Sequence, residues 1–196
     1  MMLFQWLRDR LVDKFYRWLL LAEQRAVTYH NQQWITKLGR CGAMLNVRGK
    51  AIVSGAKYIE IGDNVHIGDH AFIRGEGGLK IGDNTHISRN LVIYTVNHQY
   101  EGLRLPYDDT LIKKSVEVGR NVWIGMNVCI APGSKIGDGA IIGMGAVISG
   151  EVPPLSIVGN QKFRILGYRN PQHYQALEHA KAYGGINGRA LETLNS

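Results

Sequence analysis

Residues 118–148 read VGRNVWIGMNVCIAPGSKIGDGAIIGMGAVI, and an aliphatic side chain returns at every sixth position. The repeated positions are Val118, Ile124, Ile130, Ile136, Ile142 and Ile148. Two shorter runs keep the same spacing, and they contain Ile61, Ile67, Ile73 and then Ile81, Ile87, Ile93. Neither an amphipathic helix nor an alternating strand has a period of six. The repeat therefore predicts a solenoid, because six-residue repeats are typical of parallel β-helices.

A four-residue motif adds a longer period to the hexads. It reads IGDN at 61–64 and 81–84, VGRN at 118–121 and IGDG at 136–139. The motifs start 20, 37 and 18 residues apart, and three hexads span 18 residues, so each motif marks one corner of a successive coil. Glycine and asparagine suit such corners because they adopt positive φ readily. The middle interval holds about nineteen residues more than one coil requires.

The composition of the 196-residue chain is that of a globular protein, with 45% hydrophobic and 20% charged residues. The apolar run at residues 18–22 is far shorter than the roughly 20 residues of a membrane span. The first residues show no basic segment followed by an apolar stretch and a cleavage pattern, so we expect a cytoplasmic protein. In that compartment Cys41 and Cys129 are expected to be free thiols.

The N-terminal segment carries most of the net charge of +7, since residues 1–50 hold nine Lys and Arg against three Asp and Glu. No zinc-finger, helix-turn-helix or RNA-binding signature accompanies this charge, which argues against a nucleic-acid partner. Within the segment, residues 3–29 are predicted to form an amphipathic helix, because apolar residues recur three and four positions apart. Such a basic, aromatic helix can lie in a membrane interface, or it can pack on its own domain or a neighbouring subunit. The pattern leaves both possibilities open, and packing on protein is preferred.

The surplus residues follow Ile93 and form a predicted excursion loop over residues 94–117. Long irregular loops in compact domains are commonly functional. His98 stands at the start of this loop, where the rigid coil could hold its imidazole against a cleft; the alternative is an ordinary surface histidine. Three carboxylates of the loop are candidates to orient the imidazole: Glu101, Asp108 and Asp109.

Between about residues 46 and 160 the chain resembles the hexapeptide-repeat acyltransferases, most closely their sugar O-acetyltransferase branch. The resemblance rests on four features that occur in order: the hexads, the VWIG segment at 122–125, the Pro132-Gly133 corner and the Pro153-Pro154 exit. It implies an all-β solenoid that is a left-handed parallel β-helix, an exception to the usual right-handed crossover rule. It also implies a homotrimer with active sites between adjacent subunits.

The expected layout is an N-terminal helical segment at 1–45, a β-helix catalytic domain at 46–160 and a C-terminal tail at 161–196. The tail contains a short predicted helix over residues 171–183, which Pro171 opens because proline suits the first helical turn. Gly184 and Gly185 are expected to end this helix.

The resemblance assigns the catalytic base to His98, because the family places its catalytic histidine in a Thr-x-x-His pattern at this point, matched here by residues 95–98. Acetyl transfer from a thioester to a sugar hydroxyl needs a base with a pKa near neutrality, which suits histidine. The resemblance also places the developing oxyanion at the backbone N–H of Met126. It places Asn97 and Trp123 in the acceptor cleft, although Trp123 could instead be an outward aromatic that covers the flank.

Acetyl-CoA is the acyl donor that the resemblance implies, laid along the later coils. The residues expected near its pantetheine arm are Gly125, Gly143, Met144, Gly145 and Ser149. For its phosphates, Lys162, Arg164 and Arg169 form a basic cluster of the type that binds phosphate oxygens. The alternative is that these three are ordinary solvated charges of the tail.

No metal is expected in this chain. His66 and His86 occupy the same hexad position in successive coils and are predicted to stack on one outer flank, with Trp123 continuing the column. The related gamma-type carbonic anhydrases bind zinc through three histidines, two of them five residues apart, and no such pair occurs here. An acyl-enzyme on Cys129 is also not expected, because nothing in its segment would activate the thiol.

These observations predict an acetyl-CoA-dependent O-acetyltransferase that acts on a sugar hydroxyl in bacterial surface polysaccharide biosynthesis. His98 would act as general base in a ternary complex, and the protein would be cytoplasmic or peripheral at the inner membrane. Within the enzyme class, the alternative is an antibiotic or free-sugar acetyltransferase. From another class, the alternative is a non-catalytic trimeric scaffold that binds partners or membrane through its N-terminal helix.

Overall fold

The computed structural model describes residues 2–160, 165 and 167–184, with side chains at residue 5 and from residue 10 onward. It contains a parallel β-solenoid of about six turns, preceded by a long N-terminal helix, α1 (Met2–Ile35). The chain divides after Asn160 into two compact units, of which the first holds both the helix and the solenoid.

The described residues contain nineteen short strands and one 3-10 turn at Ala56–Tyr58. In chain order the strands are β1 (Arg40–Cys41), β2 (Asn46–Val47), β3 (Ile52–Ser54), β4 (Ile59–Ile61), β5 (His66–Ile67), β6 (Phe72–Arg74), β7 (Leu79–Ile81), β8 (His86–Ile87), β9 (Val92–Tyr94), β10 (Val96–His98), β11 (Leu111–Lys113), β12 (Val116–Val118), β13 (Trp123–Ile124), β14 (Cys129–Ile130), β15 (Lys135–Ile136), β16 (Ile141–Ile142), β17 (Val147–Ile148), β18 (Glu151–Val152) and β19 (Ile157–Val158). Three parallel sheets form the flanks: sheet A (β1-β4-β7-β12-β15-β18), sheet B (β2-β5-β8-β13-β16-β19) and sheet C (β3-β6-β9-β14-β17).

The hexad positions form the interior of the solenoid. All twelve predicted hexad aliphatics, from Ile61 to Ile148, are buried. In the unbroken run from Val118 to Ile148 the residue four positions later is buried as well, for example Ala140 and Ala146. Burying one such aliphatic side chain contributes about 1.5–3 kcal/mol relative to leaving it exposed. The repeat therefore folds as predicted because each coil supplies its share of one continuous core.

The corners of the coils have the positive φ that the four-residue motif predicts. Asn64 and Asn84 have positive φ, at 53° and 56°. The aspartate of the motif also accepts a backbone hydrogen bond from the preceding coil. Asp83 Oδ1 accepts from the N–H of Asp63 at 2.9 Å, and Asp138 Oδ1 accepts from the N–H of Arg120 at 2.8 Å. These carboxylates satisfy corner N–H groups that the sheet ladders leave over.

The three flanks differ in chemistry, because outward side chains align in columns across the coils. On sheet A the column alternates in sign: Arg40, Glu60, Lys80, Glu117, Lys135 and Glu151. On sheet C the column is apolar: Ile52, Phe72, Val92, Cys129 and Val147. On sheet B the column contains Asn46, His66, His86, Trp123, Ile141 and Ile157. The predicted column of His66, His86 and Trp123 is confirmed, and the two imidazole centroids lie 4.3 Å apart.

Helix α1 extends to Ile35, six residues beyond the predicted end, because its last turns pack on the first coil. Asn31 Nδ2 donates to the carbonyl of Gly49 at 2.8 Å, and Trp34 is buried against the core. By contrast, residues 10–21 are all exposed. No helix in the described part of the chain has the length and apolarity that crossing a membrane requires.

The excursion from the solenoid is more regular than predicted. Its strands β10 and β11 form an antiparallel pair in which His98 lies opposite Leu111. At the base of the pair, the buried Thr95 Oγ1 donates to the carbonyl of Arg74 at 2.6 Å and accepts from the N–H of Gly77 at 2.8 Å. The excursion is thus anchored to the coil below it.

The described part of the second unit contains helix α2 (Pro171–His179), which is shorter than the predicted 171–183. Asn170 caps its N-terminus by accepting a hydrogen bond from the N–H of His173 at 2.8 Å. The helix ends early because Lys181 adopts a positive φ of 49°.

Candidate active site

His98 ends strand β10, at the root of the excursion, and its side chain is half-buried. Its Nδ1 atom is buried and has no hydrogen-bond partner among the described residues. The imidazole stacks on Tyr107, with 4.0 Å between ring centroids and 19° between the ring planes. Tyr107 was missed by the sequence reasoning, which considered only charged groups of the loop as partners for His98.

The three candidate carboxylates are not hydrogen-bonded to His98 in the described structure. Asp108 is buried and accepts from the N–H groups of Thr110 and Leu103, at 2.9 and 3.0 Å. Those backbone hydrogen bonds lower the pKa of Asp108, with Thr110 making the larger contribution. Asp109 instead pairs with Arg104 at 2.7 Å, and Glu101 is exposed. Asp108 therefore shapes the loop rather than touching the imidazole.

Asn97 and Trp123, the residues predicted for the acceptor cleft, are both exposed on the surface. Asn97 Oδ1 accepts a hydrogen bond from the backbone N–H of His98 at 2.9 Å, which helps to set the end of β10. Trp123 points outward from sheet B, with 58% of its surface accessible, and so is available to a ligand.

Met126 lies in the corner that follows strand β13. The backbone N–H groups on either side of it are hydrogen-bonded. The N–H of Gly125 donates to the carbonyl of Ile142 at 2.8 Å, and the N–H of Asn127 donates to the carbonyl of Arg89 at 3.1 Å. The backbone N–H of Met126 itself donates to no acceptor among the described residues. A free, rigidly held backbone donor at the surface is what stabilisation of an oxyanion requires.

The residues expected along the coenzyme continue from Met126 toward the later coils. Gly145 donates its N–H to the carbonyl of Met126 at 2.8 Å, so the corner that contains Met144 lies directly beside it. Position 125 requires glycine, because a Cβ there would lie 2.7 Å from the backbone nitrogen of Met144. Met144 and Ser149 are exposed. Lys162 and Arg164 lie outside the described residues, and Arg169 lies over the ring of Tyr174.

The described residues contain no cluster of three or more histidines, cysteines, aspartates or glutamates that could hold a metal ion. Cys41 and Cys129 are free thiols, as expected. The candidate site residues are therefore an imidazole on the excursion, an unpaired backbone N–H at a corner, and an exposed tryptophan on strand β13, which leads into that corner.

Two family descriptions match segments of the solenoid. "Bacterial transferase hexapeptide (six repeats)" matches residues 115–150, and "Hexapeptide repeat of succinyl-transferase" matches residues 58–95. No curated protein sequence matches the chain.

Several solved structures share the solenoid. A hexapeptide-repeat-containing acetyltransferase from Vibrio cholerae is 26% identical, with a TM-score of 0.60 over 72% of this chain and 80% of that one. The same protein from Vibrio cholerae O1 biovar eltor, complexed with acetyl coenzyme A, is 27% identical, with a TM-score of 0.61 over 71% and 76%. A maltose O-acetyltransferase from Clostridium difficile 630 is 25% identical, with a TM-score of 0.58 over 72% and 83%. The chain therefore contains hexapeptide repeats and is similar in fold to solved hexapeptide-repeat acetyltransferases, which supports an acyltransferase.

Proposed function

We propose that the protein is an acetyl-CoA-dependent O-acetyltransferase whose acceptor is a sugar hydroxyl. The observation that carries this proposal is the state of His98, a half-buried imidazole with a buried, unpartnered Nδ1 within the described structure. Because Nδ1 is closed to solvent, the nitrogen that would exchange a proton with a ligand is Nε2, which forms no hydrogen bond with the described residues. The similar structures support the reaction class, since they include acetyltransferases, one of them complexed with acetyl coenzyme A and another acting on maltose.

The proposed reaction is a direct transfer in a ternary complex. The sugar hydroxyl gives its proton to the imidazole of His98 while its oxygen attacks the thioester carbonyl carbon. A C–O bond forms, and the negative charge on the former carbonyl oxygen is stabilised by the N–H of Met126. The C–S bond then breaks, and the leaving thiolate takes the proton from the imidazolium of His98. The products are the acetylated sugar and free coenzyme A.

The donor is proposed to lie along the later coils, beside Gly125, Met144 and Ser149. This placement is supported by the adjacency of the Met126 and Met144 corners, which would bring the thioester of a donor along these coils to the free N–H. Lys162 and Arg164 are proposed to bind the phosphates of the coenzyme, as the family resemblance implies.

We further propose a homotrimer with sites between subunits. The support is the apolar outward column of sheet C, in which Val147 is 72% exposed in the single chain, next to a charged column on sheet A. A contiguous apolar column on an exposed flank indicates an interaction face. In such a trimer, His98 of one subunit would face Met126 of its neighbour.

The acceptor is proposed to belong to bacterial surface polysaccharide biosynthesis, with the enzyme in the cytoplasm and peripheral at the inner membrane. Helix α1 supports peripheral contact, because its exposed stretch combines Leu11, Phe15 and Trp18 with the cations Lys14 and Arg17. Aromatic and basic side chains together favour an anionic membrane surface.

The deciding experiment is thiol release from acetyl-CoA in the presence of nucleotide sugars, glycans, free sugars and sugar-like antibiotics. We expect acceptor-dependent release with a sugar, and mass spectrometry of the product should show one acetyl ester. An antibiotic as the preferred acceptor would support the rival enzyme function. Failure to bind acetyl-CoA would support the non-catalytic scaffold.

A further inference from the structure

A surface groove of about 570 Å³ runs along the corner between sheets B and C, over the first four coils. Trp123 and Met126 lie at the end of the groove on the fourth coil, so it opens into the candidate active site. Its charged and imidazole-bearing walls are formed by Arg48, His66, Asp69, His86 and Arg89. The groove leads away from the later coils, where the coenzyme is proposed to lie.

The register between coils places the two arginines at different distances from the proposed reaction centre. Arg89 precedes Met126 by one coil, because its carbonyl accepts the N–H of Asn127 at 3.1 Å. Arg48 lies on the first coil, directly after Val47, which pairs with Ile67 of the second coil. Since neighbouring strands are about 4.8 Å apart, the backbone of Arg89 is about one strand spacing from Met126 and that of Arg48 about three.

The groove is positively charged. Neither Arg48 nor Arg89 forms an ion pair with a carboxylate of the described chain, whereas Arg74, Arg104 and Arg120 each do. Asp69 is the one carboxylate among the lining residues that the structure describes. Two guanidinium groups without an ion pair, against one carboxylate, leave the groove net positive and suited to an anion.

The donors in the groove match phosphate oxygens. A guanidinium group binds a phosphate through two parallel hydrogen bonds. The imidazoles of His66 and His86, tilted by 45° to each other, also line the groove. Nε2 of His66 donates to Asn64 Oδ1 at 3.2 Å, so the ring N–H of His86 is the further donor that the groove offers. These donors extend over about three strand spacings, which is more than a single carboxylate group would use.

We propose that the acceptor is a phosphorylated sugar, held with its sugar at Trp123 and Met126 and its phosphate or diphosphate between Arg89 and Arg48. This inference rests on the proposed function, because it assigns the substrate class of the same site. The sugar phosphate could be free, linked to a nucleotide or linked to a lipid, and these three sources share the chemistry that the groove recognises.

The test compares acetyl transfer to one sugar in four forms: the methyl glycoside, the glycosyl 1-phosphate, the nucleotide-diphosphate sugar and the polyprenyl-diphosphate sugar. We expect kcat/KM for at least one phosphorylated form to exceed that for the methyl glycoside about ten-fold or more. The form that reacts best identifies the source of the phosphate. Raising the ionic strength should reduce this preference, since exposed charges are screened by salt.

Variants then locate the phosphate. Arg48→Gln and Arg89→Gln are each expected to reduce the preference for the phosphorylated form over the methyl glycoside by about ten-fold. Arg40→Gln is the matched control, because Arg40 is also an exposed arginine of the first coil, has no ion pair with the described residues and lies on sheet A. Circular dichroism of each variant checks that the solenoid is intact.

Two results would overturn the inference: equal use of the methyl glycoside and all phosphorylated forms, or a loss in Arg48→Gln and Arg89→Gln that is the same for neutral and phosphorylated acceptors. If none of the four forms is acetylated, equilibrium dialysis of the glycosyl 1-phosphate separates the two proposals. Binding that is lost in the Arg48→Gln/Arg89→Gln double variant would support the proposed phosphate site in the groove and contradict only the proposed acetyl transfer. Absent or unchanged binding would overturn the groove as well.

Discussion

The imidazole of His98 lies flat against the phenol ring of Tyr107, with 4.0 Å between the ring centroids. The two residues come from different parts of the excursion, since His98 ends β10 and Tyr107 belongs to the connection that leads to β11. The contact restricts the rotation of the imidazole while its Nδ1 is buried. Tyr107 is therefore a positioning residue for the proposed base.

Replacing Tyr107 tests this relationship. Tyr107→Ala is expected to lower kcat by about ten- to a hundred-fold, because a displaced imidazole no longer meets the acceptor hydroxyl in a productive geometry. Tyr107→Phe keeps the stacking ring and should retain most of the activity. The measurement is kcat and the KM for the acceptor in both variants; in Tyr107→Ala kcat should fall while this KM changes little, and Tyr107→Phe should resemble the wild type in both. If Phe and Ala give equal losses, the hydroxyl of Tyr107 and not the stacking of its ring is what matters.

His98→Ala should remove the proton acceptor itself. We expect kcat to fall by about 10²- to 10⁴-fold, while the KM for acetyl-CoA changes little, because the base acts on the acceptor and not on coenzyme binding. Steady-state kinetics of thiol release measures both quantities. His179→Ala, in the exposed last turn of α2, serves as the control histidine variant. Wild-type turnover in His98→Ala would contradict the proposed mechanism.

The stability of the excursion should depend on pH through Asp108. Hydrogen bonds from the N–H groups of Thr110 and Leu103 lower its pKa in the folded state below the ordinary value of 3.8. The ionised carboxylate therefore stabilises the folded state above a pH of about 4, and this stabilisation is lost as the pH falls through the lowered pKa.

We expect the difference in free energy of unfolding between the wild type and Asp108→Asn to be largest near neutral pH and to shrink toward pH 3. Urea unfolding at a series of pH values measures it. Asp109→Asn is the control, since the carboxylate of Asp109 is exposed and pairs only with the exposed Arg104. A difference that stays constant with pH would show that the charge of Asp108 has no role.

Val147→Glu should disrupt the proposed trimer. Val147 is 72% exposed in the single chain, so the substitution is not expected to disturb the core, but it places a charge in the apolar column of sheet C. Sedimentation velocity should show trimers for the wild type and smaller species for Val147→Glu. Lys135→Ala, on the charged column of sheet A, should remain trimeric. A monomeric wild type would refute the proposed assembly.

Much of this architecture could be predicted from the local periodicity of the sequence. A six-residue period places one aliphatic inward per hexad, and positions such as Ile61 and Ile124 are buried as that period requires. The spacing of the corner motifs aligns successive coils, so the column of His66 and His86 could also be predicted. Within α1 the same reasoning predicted a helix but missed its last six residues, because Asn31 and Trp34 are held by contacts with the first coil that no helical pattern contains.

Contacts within the excursion could not be predicted from the repeat, because they depend on how the excursion folds. Tyr107 meets His98 only because β10 and β11 pair as a hairpin, and nothing in the spacing of the excursion indicates that pairing. The roles of Asp108 and of the unpaired Met126 N–H likewise depend on which neighbouring groups are already hydrogen-bonded. The period is a local property that every coil repeats, whereas the imidazole of the candidate site lies on the excursion that interrupts the repeat, and there only three-dimensional packing determines which groups meet.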